Sequence, residues 1–208
     1  WVTFKLAFLS TTILVVIGLP LANWLAFTKT KLKPIAEALV SMPMVLPPSV
    51  IGYYMLVLYS PKQGVGKWLA EVLHVRLAFT FEGVLIASVI FSLPFMVQPL
   101  VNGLAALPNS LREASYTLGK SKTVTFLRVL LPSIKPSVIS AIALTFAHCI
   151  GEFGIVLMVG GNMPGETRVA SIAIYDEMQS LHMDVANRYA FILFAVSFMM
   201  LLLIYGLN

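Results

Sequence analysis

Long stretches of apolar residues without charge divide the sequence. Five of them, at residues 6–28, 38–61, 83–111, 136–161 and 189–208, contain no Asp, Glu, Lys or Arg apart from Glu152 in the fourth. Each reaches the ~20 residues with which a helix crosses a hydrocarbon core ~30 Å thick. They are continuously apolar rather than alternating, which favours helices over barrel strands. The pattern predicts an all-α fold, a polytopic membrane helical bundle of about five transmembrane helices in a single domain spanning residues 1–208.

The composition agrees with this pattern. Of 208 residues, 59% are hydrophobic and 11% are charged. A soluble protein needs roughly a quarter to a third of its surface positions charged, so an ordinary soluble protein is excluded. Lys and Arg outnumber Asp and Glu by 14 to 9, but no basic stripe is interleaved with aromatic residues. We therefore expect no nucleic-acid partner.

The charged residues between the apolar stretches fall on two unequal sides. The connections after the first and third stretches hold eight Lys or Arg and two acidic residues, a net charge of +6, whereas the other connections and the amino end sum to zero. Lys and Arg in short connections stay preferentially in the cytoplasm. We expect an inner-membrane protein whose +6 side is cytoplasmic, with the amino end outside and the carboxyl end inside.

Prolines interrupt two of the apolar stretches: Pro43, Pro47 and Pro48 in the second, Pro94 and Pro99 in the third. Each removes a backbone donor and bends a helix. In lipid the freed carbonyls need protein or water beside them, so the bends indicate either a wet pathway or kinks that only shape packing. No inverted halves are evident in the sequence, which weakens a secondary-transporter interpretation.

The connection at residues 108–135, called segment 108–135 below, predicts two short helices. Ser110 and Glu113 have the spacing of a capping box, in which hydroxyl and carboxylate satisfy each other's orphan amides. The first helix, residues 111–118, is expected to end at Gly119, which suits the left-handed conformation of a helix stop.

The second predicted helix of segment 108–135 begins at a Ser121 cap and closes at Pro132. An apolar stripe is expected on it, made of Val124, Leu127 and Leu131. So compact a basic and apolar segment is typical either of a stretch lying on anionic lipid or of a knob that docks in a groove of a soluble partner.

The residues of this segment resemble a known signature. Glu113-Ala114-Ser115, Gly119 and Val129-x-Leu131-Pro132 match E-A-A-x3-G-x9-I-x-L-P of the permease subunits of binding-protein-dependent ABC importers, with Ser115 and Val129 as mild departures. In that family the segment is a cytoplasmic coupling helix seated in a cleft of the ATPase subunit. The resemblance implies that contact with an ATPase is made by Ser110, Glu113, Ala114, Gly119, Leu131 and Pro132.

Other stretches are similar to molybdate permeases. They are MVLPPSVIGY at residues 44–53, GEFG at 151–154, GNMPGETR at 161–168 and AIY at 173–175. The resemblance implies a homodimer that meets two ATP-binding cassette subunits and an extracytoplasmic oxyanion-binding protein, and that carries molybdate or tungstate. Sulfate and thiosulfate permeases are relatives and stay an alternative. ATP and magnesium are expected on the partner ATPase, so this chain is expected to be no enzyme and to carry no cofactor.

Glu152 is the one carboxylate within an apolar stretch, and His148 lies four residues earlier on the same helical face. A charge at that depth is costly and is a functional candidate by default. The two residues either line a translocation path or its gate, or form a satisfied structural pair. Two alternatives from other classes are an intramembrane enzyme that uses them as acid and base, and a proton-linked carrier or channel.

No Lys or Arg lies in the middle of an apolar stretch, whereas a tight dianion site needs cations or amide nests. We expect only a weak polar path, and hydroxyl residues that could contribute to it are Ser41, Ser49, Ser92 and Thr145. The segment at residues 162–188 is expected to lie outside as a docking or gating surface, or as a solvated loop. It contains a Pro164-Gly165 turn and Arg168, which either meets the anion or pairs with Glu166 or Asp176.

Several weaker signals carry no chemistry. The spacing of His and Met residues gives no metal site. Gly119-Lys120-Ser121 ends like a phosphate loop, but Ala114 stands where the first Gly is required and no strand precedes it. Cys149 is alone in an apolar stretch, which favours a small buried side chain over a reactive thiol.

Overall fold

The computed structural model describes residues 1–206, with the side chains of residues 203–205 excepted. Its long helices are α1 (Val2–Phe27), α5 (Phe81–Ala105), α9 (Lys135–Gly151) and α12 (Met183–Gly206). The shorter helices are α2 (Lys33–Val45), α3 (Pro48–Tyr59), α4 (Gly64–Val72), α6 (Asn109–Thr117), α7 (Lys122–Thr125), α8 (Leu131–Ser133), α10 (Gly154–Gly160) and α11 (Ala170–Gln179), and a π-helical turn (Phe126–Leu130) joins α7 to α8. The described residues contain no strand, which confirms the all-α prediction.

Three helices, α1, α5 and α12, are each long and apolar enough to cross a membrane. Two further spans result if each of two bent helix pairs is counted as one: α2 with α3, bent by 112°, and Lys122–Ser133 with α9, bent by 80°. The expected number of about five spans is thus reached only if both bent pairs count as spans. The first pair is broken at Leu46 and Pro47, and the second turns at Ile134, between Pro132 and Pro136.

The predicted boundaries differ from the observed ones at several places. The second stretch is divided between Val45 and Pro48, and the fourth ends its first helix at Gly151. The third ends at Ala105 rather than residue 111, whereas α5 stays continuous through Pro94 and Pro99. Helix α12 begins at Met183, six residues before the predicted 189. Residues 207 and 208 of that stretch lie outside the described residues.

The core runs between α1, α5 and α9 as two main apolar clusters. One lies toward the start of α1 and includes Leu6, Val84 and Ile155; the other lies toward its end and includes Leu25 and Leu104. Small residues let these helices approach closely. A methyl group added at Gly18 would lie 2.7 Å from Met96 Cγ, and one at Gly103 would lie 2.4 Å from Ser137 Oγ.

Different charged connections lie at the two ends of α1. A cavity at its start is lined by Lys5, Glu82 and Glu166, and a cavity at its end by Arg112 and Lys122. The residues of the first cavity belong to the amino end and the connections whose charges sum to zero, and those of the second belong to the connections with a net charge of +6. The fold therefore places these two sets of connections at opposite ends of α1.

Candidate functional site

A buried polar cluster surrounds the gap between α9 and α10, called the 152–153 break below. Glu152 occupies the gap and is 3% exposed. Two serines of α5 donate hydrogen bonds to its carboxylate: Ser92 Oγ to Oε1 at 2.7 Å, and Ser88 Oγ to Oε2. Ser171 Oγ of α11 donates to the Glu152 carbonyl at 2.5 Å. Glu152 thus ties the break to two other helices.

Two neighbours complete this Glu152 cluster. His148 Nε2 lies 3.8 Å from Glu152 Oε1, and its ring stacks on Phe95 with centroids 4.0 Å apart. Cys149 Sγ lies 3.2 Å from Ser92 Oγ and is buried, as its apolar surroundings predict. The α5 serine side chains and that of Cys149 are buried. The two serine hydroxyls are the hydrogen-bond partners of the carboxylate, whereas His148 Nε2 has no hydrogen-bond partner among the described residues.

A second break lies beside the first. Pro47 and Pro48 separate α2 from α3, and this 46–47 break packs against the start of α10. A methyl group added at Gly154 would lie 3.0 Å from Pro48 Cβ, and one added at Gly52 would lie 3.0 Å from Met158 Cβ. Glycines at both contacts allow the two interrupted helices to touch at membrane depth.

Exposed residues mark one side of these breaks. Pro47, Pro48 and Ser49 are exposed, as is Gly151. Irregular backbone at membrane depth is stable only where protein covers it or where it lines a water-filled cavity. The exposed side of the breaks is therefore where water or a second chain would have to lie, so both interpretations of the prolines stay predictions.

The predicted path residues are only partly brought together. Ser92, His148 and Glu152 meet in the Glu152 cluster, whereas Ser41 lies elsewhere and accepts a hydrogen bond from Gln98 Nε2 at 3.0 Å. Ser49 is exposed at the start of α3. Thr145 is fully buried, two turns before Glu152, and its hydroxyl has no hydrogen-bond partner among the described residues.

Sequence reasoning missed Ser88 and Gln98. Ser88 and Ser92 are four residues apart on α5 and therefore share a face, which was a readable signal. The partner Glu152 is 64 residues away from Ser88, and nothing in the spacing indicates that contact.

The first helix of segment 108–135 begins earlier than predicted, and its capping box is wrong. Helix α6 starts at Asn109 after Pro108 in extended conformation, with no side-chain cap. Ser110 is therefore already inside the first turn, where its hydroxyl cannot take the cap position. Glu113 and Ala114 are exposed. Gly119 ends the helix with φ of 71°, as predicted.

The second helix of segment 108–135 begins as predicted and continues further. Ser121 Oγ accepts a hydrogen bond from Val124 N at 3.3 Å, which confirms the cap. The helix ends at Ser133, one residue past the predicted Pro132, and the chain turns at Ile134. Gly119-Lys120-Ser121 is thus a helix stop and a helix start.

The predicted apolar stripe on this helix is also wrong. Leu127 is exposed, and Val124 and Leu131 are only half-buried, whereas Leu130 and Ile134 are buried against the ends of α1 and α5. The π-helical turn at Phe126–Leu130 adds a residue to the helical repeat and shifts the buried face. The segment is thereby attached to the core by Leu130 and Ile134.

A buried hydroxyl pair joins α6 and α7, the two arms of segment 108–135. Ser115 Oγ and Thr125 Oγ1 are 2.8 Å apart, Thr125 is fully buried and Ser115 almost so. Ser115, the mild departure from the second alanine of the signature, is thus matched by a hydroxyl on α7. Two leucines beside this pair are exposed: Leu118 is 75% exposed, and Leu111 is exposed as well.

The outer candidate Arg168 is engaged within the chain. Arg168 Nη2 lies 2.6 Å from Asp176 Oδ2, and Asn162 Nδ2 donates to the same carboxylate at 2.9 and 3.1 Å. Arg168 was predicted either to meet the anion or to pair with an acidic residue, and the structure shows the ion pair with Asp176. Gly165 adopts φ of 81° in the predicted turn.

Comparisons with known proteins agree with this architecture. A family model described as the binding-protein-dependent transport system inner membrane component matches residues 15–207. A solved structure described as an inward-facing conformation of the MetNI methionine ABC transporter superposes with a TM-score of 0.76 at 19% identity, covering 100% of this chain and 91% of that chain. The latter likeness establishes a shared fold.

Curated relatives are transport permeases. The molybdenum transport system permease protein ModB of Azotobacter vinelandii is 42% identical over 205 residues, 98% of this chain and 90% of the relative. The sulfate transport system permease protein CysT of Escherichia coli K12 is 31% identical over 207 residues, 100% of this chain and 73% of the relative. The chain therefore belongs to the family of binding-protein-dependent transport system inner membrane components, as a permease subunit of an ABC importer and not a catalytic enzyme.

Proposed function

We propose that this chain is the membrane subunit of an ATP-driven molybdate importer in the inner membrane. Two copies form the pathway, two ATPase subunits bind the cytoplasmic face, and an extracytoplasmic protein delivers the oxyanion. The observation that carries this proposal is the rigid attachment of segment 108–135. Its arms are joined by Ser115 and Thr125, and Leu130 and Ile134 fix it to the core.

A segment of this kind transmits force. Motion of an ATPase cleft that holds α6 moves the Ser115–Thr125 unit, and through Leu130 it moves the ends of α1 and α5. Because packed cores shift between discrete arrangements rather than deforming continuously, the displacement reaches α9 as a rigid-body change. The free energy comes from ATP on the partner, and this chain supplies alternating access.

The gate lies where the 46–47 and 152–153 breaks meet. Interrupted helices supply hinge positions, and the contact of Gly154 with Pro48 couples the two hinges. Glu152 acts there as an anchor: its carboxylate is enclosed by Ser88 and Ser92, so an anionic cargo is not exposed to an unshielded negative charge. Ser49 lies on the exposed side of the break and faces the path.

The substrate assignment is supported by the molybdenum permease relative and by the resemblance of residues 44–53, 151–154 and 161–168 to molybdate permeases. Sulfate is the second candidate because sulfate permeases cover the whole chain at lower identity. The path itself holds no Lys or Arg at mid-span, so selectivity resides mainly in the binding protein.

The homodimer is supported by exposed apolar residues at the 46–47 break. Met44, Val45, Tyr53 and Tyr54 are all exposed. One chain encloses the breaks from one side only, and an isologous dimer places the same residues on the other side.

Uptake into proteoliposomes tests this proposal. The chain is reconstituted with its ATPase and its binding protein, and radiolabelled molybdate uptake is measured with ATP and with a non-hydrolysable analogue. We expect uptake only with hydrolysable ATP, competed by tungstate more strongly than by sulfate. Uptake that persists without the ATPase, or that follows a proton gradient, contradicts the importer. Stronger competition by sulfate replaces molybdate with the second candidate.

A further inference from the structure

A cavity of about 450 Å³ lies at the cytoplasmic end of α1, beside segment 108–135. The last turns of α1 contribute Trp24 and Phe27 to its wall. Helices α6 and α7 contribute Arg112, Tyr116 and Lys122. The transport mechanism above assigns no role to this cavity.

The wall is basic, and its cations are available. Arg112 and Lys122 face one acid, Glu113, and neither basic side chain forms an ion pair with another of residues 1–206. The Arg112 guanidinium lies over the Phe27 ring, 4.5 Å from its centroid. This contact holds the cation in place without using an N–H donor, so the donors stay free for an anion.

An apolar face of α1 leads into the same cavity. Ile13, Ile17, Pro20 and Trp24 are all exposed and follow one another at helical spacing. Trp24, 42% exposed at the cavity, has the amphipathic ring that is enriched where the hydrocarbon meets the headgroups. The basic cavity thus lies at headgroup depth, directly below a surface that suits an acyl chain.

We propose that this cavity binds the phosphate of an anionic phospholipid, with the acyl chains lying along the exposed face of α1. Arg112 and Lys122 pair with the phosphate, and Trp24 packs at the junction of headgroup and chain. A clustered pair of cations next to the membrane attracts anionic lipid specifically. The adjacent apolar face favours a lipid over free phosphate. It also favours a lipid over a soluble partner, because a soluble partner would leave that apolar face uncovered. The bound lipid fixes the end of α1 against α6.

Native mass spectrometry of the full chain tests the proposal. The protein is incubated with phosphatidylglycerol, with phosphatidylcholine of the same acyl chains, and with inorganic phosphate. We expect one phosphatidylglycerol per chain to be retained, and Arg112→Gln with Lys122→Gln to lower that preference about thirtyfold, since each cation near an anionic lipid surface contributes about a fivefold factor. The matched control, Lys29→Gln with Lys31→Gln, removes equal charge from the same side outside the cavity and should change retention less than twofold.

A second measurement applies if the double variant folds poorly. With Trp1 and Trp68 replaced by Phe, brominated phosphatidylglycerol should quench Trp24 more strongly than brominated phosphatidylcholine, and Arg112→Gln alone should reduce that difference. Equal retention of the two lipids, equal loss in both double variants, or displacement by millimolar phosphate overturns the lipid site. Displacement of the lipid by the purified ATPase subunit assigns the cavity to that subunit and overturns it as well. None of these outcomes depends on transport, so the importer proposal is tested separately.

Discussion

The hydroxyl pair in segment 108–135 gives the sharpest energetic prediction. Ser115→Ala leaves the fully buried Thr125 hydroxyl without its partner 2.8 Å away, and Thr125→Val leaves Ser115 in the same condition. Stranding a buried hydroxyl costs about 1–3 kcal/mol, whereas replacing both partners by apolar groups of the same shape is nearly neutral. Each single variant should therefore be less stable than the double variant.

The size of the effect follows from a double-mutant cycle. With each single change near 1.5 kcal/mol and the double change near zero, the coupling energy is about 3 kcal/mol, at the upper end for contacting residues. For a chain of this size about 1 kcal/mol shifts Tm by ~2–4 °C. Each single variant should thus unfold roughly 3–6 °C below the wild type, and the double variant should recover most of that loss.

Thermal unfolding of the purified transporter in detergent is the assay, and ATP hydrolysed per anion imported is measured in parallel. The single variants should hydrolyse more ATP per anion because the arms of the segment are loosened. Thr117→Val is the matched control: its hydroxyl bonds the Glu113 carbonyl on an exposed surface, so its effect should stay within about 0.5 kcal/mol. Additive losses in the double variant, or neutral single variants, would refute the reasoning.

Three further predictions concern the breaks and the outer face. Glu152→Gln should keep uptake within about twofold, because an amide still pairs with two serine hydroxyls. Glu152→Leu should lose about 1–2 kcal/mol of stability, measured by unfolding in detergent. Abolished uptake in well-folded Glu152→Gln would instead show that transport uses the charge itself. Gly154→Val should cost about 1–3 kcal/mol and slow uptake through its clash with Pro48, and Gly151→Ala, which enters open space, should show little change. Arg168→Gln should lower stability by about 1 kcal/mol without changing the competition among anions; a tenfold higher KM for uptake at normal stability would identify Arg168 as an anion contact.

Local signals in the sequence predicted local features well. Gly119 ends a helix and Ser121 starts one, because a left-handed helix stop and an N-cap hydroxyl each depend on the residue at a single position. The five apolar stretches match the upper value of the three to five possible spans, since length and hydropathy decide which helices can cross a membrane.

Features that depend on the precise helical register were not predictable in the same way. The capping box at Ser110 fails because the helix begins at Asn109, two residues before the predicted start at residue 111. The stripe through Leu127 fails because the π-helical turn rotates the buried face toward Leu130. Neither event leaves a signal in the apolar pattern.

The Glu152 cluster was half predictable. Glu152 directly follows α9 and lies four residues after His148, so their proximity follows from the helical spacing. The contacts with Ser88 and Ser92 join residues 60 and 64 positions apart, and they depend on how α5 packs against α9. The juxtaposition of the two breaks is likewise a tertiary feature that single-helix patterns do not encode.

Site-specific cross-linking tests the central claim most directly, that segment 108–135 is seated in the ATPase on the cytoplasmic face. Ala114→Cys is placed in a Cys149→Ala background, since Ala114 is exposed and Cys149 is buried, and the assembled transporter is treated with a short cross-linker that joins a maleimide to a photoreactive group. The account predicts a cross-link from Ala114→Cys to the ATPase that changes in yield with ATP, and labelling of the exposed control Gln179→Cys by an impermeant maleimide from the outside only. Labelling of Ala114→Cys from outside, or no cross-link in a complex that still hydrolyses ATP, would contradict it.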